Sequence, residues 1–206
     1  MTRTAVIESL EKYFDDGGFW TDLQRRVAIK SCSQDEPFRP ELYRYLNEEM
    51  IPYLADMGFE SEIYENPKPG AQPILVARRH EGDDLPTMMT YGHGDVVRGY
   101  DDQWRDGIGP WEMKKEGERW YGRGTADNKG QHTINLAAMK ACMDARGGKL
   151  GYNVVALIET GEEAGAQQTF RIGRRVPEAI VVPGTGAPER GVRPLHVPAC
   201  AKNKAR

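Results

Sequence analysis

Cysteine is scarce in this chain and widely scattered, at Cys32, Cys142 and Cys200. An odd number at such spacing excludes a disulfide framework and offers no pair suited to a cysteine-ligated zinc site, so a reducing, cytoplasmic setting is the expectation. Long apolar runs are missing as well, and with them any candidate for a membrane-crossing helix, so no membrane partner is expected. The N-terminus, Met1-Thr2-Arg3-Thr4-Ala5-Val6-Ile7-Glu8, lacks the apolar stretch and small-residue cleavage site of a signal peptide. Positive charge is short where nucleic acid would need it. The net charge is −3, divided between −9 over residues 1–165 and +6 over residues 166–206. An acidic body excludes nucleic acid as the main partner, and the basic tail has neither interleaved aromatics nor an apolar helical face.

What remains is a chain of 206 residues, 39% hydrophobic and 29% charged, long enough to bury one core. Its first sixty residues read as helical. Ala5, Ile7, Leu10 and Phe14 predict a short helix ended by Gly17-Gly18, and Trp20, Leu23, Val27 and Ala28 a second. Pro40 suits the first turn of a third, in which Pro52 should produce a kink or a split. Beyond Phe59 strands appear, at Ile74–Ala77, at Thr87–Tyr91 (apolar enough to be buried on both faces) and, most clearly, at Val154–Ile158. Residues 98–112, rich in Gly, Asp and Trp, read as a long ordered loop, and residues 128–143 as a helix. Strands alternating with helices imply an α/β layered sheet with helices on both faces, and such sheets bind ligands at the carboxyl ends of their strands.

Three polar clusters fall at such places. His93-Gly94-Asp95 closes the strand that begins near Thr87; two residues apart, both side chains project to one side, and a metal-bound histidine commonly donates its second ring proton to a carboxylate. The bland reading is a surface His–Asp pair. Asp127 sits in the glycine-rich run Gly122-Arg123-Gly124-Thr125-Ala126-Asp127-Asn128-Lys129-Gly130 just before the helix, where an Asp also serves as an N-cap. Glu162 and Glu163 follow the clearest strand between Gly161 and Gly165. Adjacent carboxylates occur on solvated surfaces, yet here they leave an apolar strand, and a cation would relieve their repulsion. Together the clusters supply nitrogen and oxygen donors suited to zinc, with cobalt or manganese also compatible.

In this order and spacing, the three motifs resemble the co-catalytic zinc metallopeptidase family (metallopeptidase family twenty) of carnosine dipeptidase, aminoacylase, succinyl-diaminopimelate desuccinylase and carboxypeptidase G. The resemblance covers about Thr2 to Gly165. It implies a three-layer αβα catalytic domain and two zinc ions. His93 would bind one ion with Asp95 orienting it, Asp127 would bridge both, and Glu163 would bind the other. Glu162 would be the general base, and the Asp127–Asn128 peptide would be cis. The implied substrate is a small peptide or an N-acyl amino acid.

Past Gly165 the expected likeness stops. The family pattern continues to a further Asp ligand, a lid and dimerisation domain, and a distant His ligand. Residues 166–206 contain five prolines and no Asp; Ile180-Val181-Val182 could form a strand, but Pro183-Gly184-Thr185 follows where the ligand is due. The expectation is therefore an incomplete catalytic domain over residues 1–165, lacking the lid. Residues 166–206 would be a basic, Pro/Gly-containing tail outside the family pattern, for which disorder is one expectation and a truncation or altered reading frame the hypothesis. Each zinc would keep two of its three family ligands. Nothing in the spacing of His196, Glu189 or Cys200 supports them as substitutes, and His80 and His132 are not expected to be ligands. With the dimer contact of the family absent, a monomer is expected. The activity reading is an amide-bond hydrolase of the dipeptidase, aminopeptidase or carboxypeptidase kind. The alternatives are a catalytically inactive remnant of such an enzyme and a deacylase or desuccinylase of N-acyl amino acids.

Overall fold

The computed structural model describes residues 2–165 apart from Pro67. The expected strand at Ile180–Val182 and the expected disorder of the tail lie outside the described residues, as do the three alternative ligands of the tail. Two helices open the chain, α1 over Arg3–Asp15 and α2 over Gly18–Ala28. Thr2 caps the first through its side chain, and Gly17 enters the second with a left-handed backbone at φ 82°.

Both prolines lie at the start of a helical segment. Pro40 lies in the first turn of α3 (Arg39–Arg44), as its missing N–H favours. Pro52 falls where the stretch changes helix type, one residue into a new segment. The chain widens into a π-helical segment over Tyr45–Met50 and continues as α4 (Ile51–Asp56), with Pro52 in the first turn of α4. The altered hydrogen-bond spacing just ahead of it accommodates a residue that has no N–H to donate.

The main sheet contains β1 (Glu60–Tyr64), β2 (Ile74–Arg79), β3 (Thr87–His93) and β6 (Asn153–Glu159) in the order β1-β2-β6-β3. β1 pairs antiparallel with β2, and β2 antiparallel with β6. β6 runs parallel to β3, in register from Thr87 opposite Asn153 to His93 opposite Glu159. A parallel pair needs a long crossover, and α5 (Lys129–Ala145) supplies it. A short hairpin, β4 (Lys114–Glu116) with β5 (Arg119–Tyr121), lies outside this sheet. Neither β1 nor this hairpin was evident from apolar patterning, because Glu-Ser-Glu and Lys-Lys-Glu carry little of it. The segment 98–112 is irregular, and each of its tryptophans is tied back into it: the Trp104 indole donates to the Gly99 carbonyl and the Trp111 indole to Asp101.

The large core lies on one face of the sheet. Leu75, Ala77, Val154, Ala156 and Ile158 pack there against Leu46, Met50 and Leu54 of the helical stretch and Leu136, Met139 and Met143 of α5. On the other face Ile74, Val76 and Val155 form a smaller cluster with Tyr64 and Leu157. Two layers of the expected αβα sandwich are thus built by described residues. The expectation that the Thr87–Tyr91 strand is buried on both faces is corrected: Met88, Met89 and Tyr91 are exposed. β3 is the edge of the described sheet, so its apolar residues have a neighbour on one flank alone.

One charged pair ties the helices together from within. Arg26 of α2 is fully buried, donates to Glu49 at 3.1 Å and to the Thr133 hydroxyl of α5, and lies over the Tyr53 ring. Removing the carboxylate strands that buried charge. Glu49→Ala is expected to destabilise the fold by about 3 kcal/mol or more, read as a lower urea midpoint with an unchanged slope.

Candidate metal centre

The parallel pairing of β3 with β6 places His93 and Glu159 side by side at the carboxyl ends of their strands. Glu159 accepts from the Tyr91 hydroxyl. Beyond these ends the chain segments on either side are drawn together by one buried carboxylate. Asp95 is 0% exposed, just past the end of β3. Its Oδ2 accepts from the Ser33 hydroxyl at 2.6 Å and the Glu163 amide at 3.0 Å, and its Oδ1 faces the Glu162 amide at 3.3 Å and His93 Nδ1 at 3.3 Å. Ser33 reaches Asp95 because the segment beside it pairs with the chain after β3: Cys32 bridges Val96, and the Ser31 hydroxyl donates to the Gly94 carbonyl. A buried charge is tolerable only with such donors.

His93 is held between Asp95 and Asp127. Its Nδ1 faces both the Asp95 carboxylate and the Asp95 carbonyl oxygen, at 3.1 Å for the latter, and so carries the proton it donates. Its Nε2 points the other way, 3.2 Å from Asp127 Oδ1 and 3.9 Å from Glu162 Oε2. Asp127 does not cap α5; Asn128 occupies the cap position without a side-chain capping bond, and the Asp127–Asn128 peptide is cis. The glycine at 130 follows from packing, since a Cβ there would lie 2.0 Å from the Thr125 carbonyl oxygen. Lys129 anchors this turn from beneath. It is buried, and its ammonium donates to the carbonyls of Arg26 and Ile29 at the end of α2, at 2.8 and 2.7 Å.

Among the described residues, His93, Asp127 and Glu163 offer ligand atoms that all lie within 4.8 Å of one another. Their exposure grades from the buried histidine to the open Asp127. Glu162 stands beside the group, about half exposed, and Asp95 stands behind it. His80 pairs with Asp83 on the surface and His132 lies within the core; neither joins the group. Sequence patterning did not reveal Ser33, or Gln34, whose amide holds the Glu163 carbonyl at 3.0 Å. Both lie more than sixty residues from the motifs they support, and no spacing rule links them.

Electrostatics matches a site prepared for a cation. Burial alone would lower the His93 pKa, but the hydrogen bond and charge of Asp95, with the charge of Glu162, outweigh it and push the imidazole up to about 9. Burial, then the neighbouring charges of Asp127 and Glu162, raise the Glu163 carboxyl above its ordinary range. A bound cation would replace the His93 proton and offset the repulsion among the carboxylates.

Such an arrangement defines a class: a layered α/β protein whose imidazole and carboxylates converge, at the ends of parallel strands, into a candidate metal centre. The chain belongs to peptidase family M20/M25/M40, whose model matches residues 89–196, beyond the Gly165 at which the likeness was expected to end. It is 32% identical over 155 residues to the Cys-Gly metallodipeptidase DUG1 of Candida albicans, covering 70% of this chain and 32% of that protein. To the Beta-Ala-His dipeptidase of Mus musculus it is 31% identical, over 80% of this chain and 35% of the relative. Its structure is similar to the crystal structure of human carnosine dipeptidase 1, with a TM-score of 0.74 and 26% identity over 84% of this chain and 37% of that one. The chain thus spans about a third of the length of these relatives. No helix among the described residues is long and apolar enough to cross a membrane.

The raised His93 pKa gives metal uptake a definite pH dependence. Below about 9 a cation must displace the imidazole proton, so affinity is expected to rise about tenfold per pH unit toward pH 9 and then level off. Competition titrations with zinc or cobalt across that range would show it. Without metal the sign reverses. The His93–Asp95 interaction stabilises the fold fully below the ordinary histidine value of 6.5, and this contribution fades as pH rises through about 9.

Proposed function

We propose that this chain carries part of a two-zinc active site that hydrolyses peptide bonds of small substrates, dipeptides first among them. The observation that supports it most directly is the convergence of His93, Asp127 and Glu163. One imidazole and two carboxylates are the donor types of catalytic zinc, with cobalt or manganese as workable substitutes. His93 and Asp127 would hold one ion, Asp127 and Glu163 the other, with Asp127 shared. Zinc there would supply an electrophile for the amide carbonyl and acidify a nearby water.

The protein's own groups then have distinct tasks. Asp95 accepts a hydrogen bond from the Nδ1–H of His93, which leaves Nε2 as the ligand atom and fixes the ring. Glu162 is anchored through its backbone amide to Asp95, while its carboxylate stays partly exposed beside the group. It is the general base in this proposal. It takes a proton from the water that attacks the scissile carbonyl and returns one to the departing amine, so that acid and amine leave as separate products. The free thiols of Cys32 and Cys142 accord with a reducing, cytoplasmic setting, and a monomer is the proposed state.

A dipeptide substrate is favoured by the two dipeptidase relatives that match 70% and 80% of this chain. An N-acyl amino acid is the second reading, because a Succinyl-diaminopimelate desuccinylase of Rhodopseudomonas palustris is 35% identical over 53% of the chain. The decisive measurement pairs zinc stoichiometry with hydrolysis of a panel of dipeptides and N-acyl amino acids. Two zinc ions per chain are expected, with turnover that falls about a hundredfold to ten-thousandfold in Glu162→Gln while metal content is unchanged. Glu163→Ala is expected to lose metal and turnover together. Neither metal nor turnover in the unaltered chain would overturn the hydrolase and leave an inactive remnant.

A further inference from the structure

Against the backbone of Gly92-His93-Gly94 lies a second polar cluster to which the hydrolytic reading gives no task. Tyr45, from the π-helical segment, and His132, from α5, are both buried, and their Oη and Nε2 lie 2.5 Å apart. His132 Nδ1 lies 3.2 Å from Asn128 Oδ1, and the same oxygen accepts from the His93 backbone amide at 3.2 Å. The other end of the Asn128 amide donates to Gln131.

These contacts decide the protons. A backbone N–H can only donate, so the atom of Asn128 facing it is the carbonyl oxygen, and His132 Nδ1 must also donate to it. Nε2 is then bare and accepts from the Tyr45 hydroxyl. Burial, with the charges of Arg26 and Lys129 nearby, favours this neutral ring. The same two residues also wall in the glycines that flank His93. A Cβ on Gly92 would lie 2.8 Å from His132 Cβ, and one on Gly94 would lie 2.3 Å from the Tyr45 ring. The Gly92-His93-Gly94 backbone is therefore seated on the Tyr45–His132 pair by shape and bound to it through Asn128 by hydrogen bonds.

We infer that Tyr45, His132 and Asn128 form a positioning relay that holds the His93 backbone, and with it the imidazole, at the spot where His93 meets Asp127. His132 is its pivot: it links the helical stretch before β1 to the turn that carries Asp127. Its value for metal binding rests on the hydrolase reading above; the placement of His93 does not.

Two substitutions separate this role from simple packing. His132→Asn keeps a donor near the Nδ1 position and loses the contact to Tyr45, whereas His132→Gln keeps a polar atom near Nε2 and loses the donor to Asn128. In metal-free protein the His93 amide should exchange with solvent at least tenfold faster in His132→Gln, and within about threefold of the unaltered rate in His132→Asn. Cobalt affinity, followed by visible absorption, should fall about tenfold in His132→Gln and little in His132→Asn. Tyr45→Phe, which keeps the ring against Gly94, should give a smaller loss of His93 protection, about threefold. Unchanged protection in both His132→Gln and Tyr45→Phe overturns the relay, and so does an equal loss in the Asn and Gln variants, which would make the ring a space-filler. The expected exchange pattern in a protein that takes up no cobalt would sustain the relay and overturn the hydrolase reading instead.

Discussion

The carboxylate of Asp95 sits where three chain segments meet, and the site depends on how its charge is met. Removed from water, it accepts from the Ser33 hydroxyl, the amides of Glu162 and Glu163, and the His93 ring. Each donor offsets part of the cost of burial, and each belongs to a different part of the chain or to the backbone of a residue that must be oriented. By gathering them, one charge sets where the loop after β6 lies and which nitrogen of His93 faces outward. The acidic pair that leaves β6 would otherwise repel itself into solvent.

Around this anchor the fold supplies rigidity in proportion to nearness. The crossover through α5 makes β3 and β6 parallel neighbours, so their carboxyl ends coincide. Lys129 ties the start of α5 to the end of α2, and the Tyr45–His132 pair lies against the glycines that flank His93. The ligand groups themselves grade outward from a buried imidazole to an open Asp127. Such a grading holds one candidate ligand atom tightly and leaves the others more open.

Much of this was legible beforehand because the chemistry lies in short, local motifs. His93 and Asp95 are two residues apart, Glu162 and Glu163 are adjacent, and the glycine-rich run around Asp127 is continuous. The elements that carry them, β6 and α5, have strong apolar patterns. What escaped notice was weakly patterned or remote. β1 and the β4–β5 hairpin are too polar to show a buried face. β3 looked like a central strand because its residues are apolar, yet apolar character does not say on which flank a neighbour stands.

The amino-acid sequence by itself determined the donor set, the order of the three motifs and the alternation of strand and helix, since each is a property of neighbouring residues and their side-chain chemistry. Only the tertiary structure decided which remote groups serve those donors. Ser33, Gln34 and Tyr45 come to the site across more than forty residues of intervening chain, and His132, not expected to be a ligand, becomes a partner of Asn128. Such partnerships arise from packing, where a hydroxyl or an amide becomes useful only once the fold has excluded water from around it.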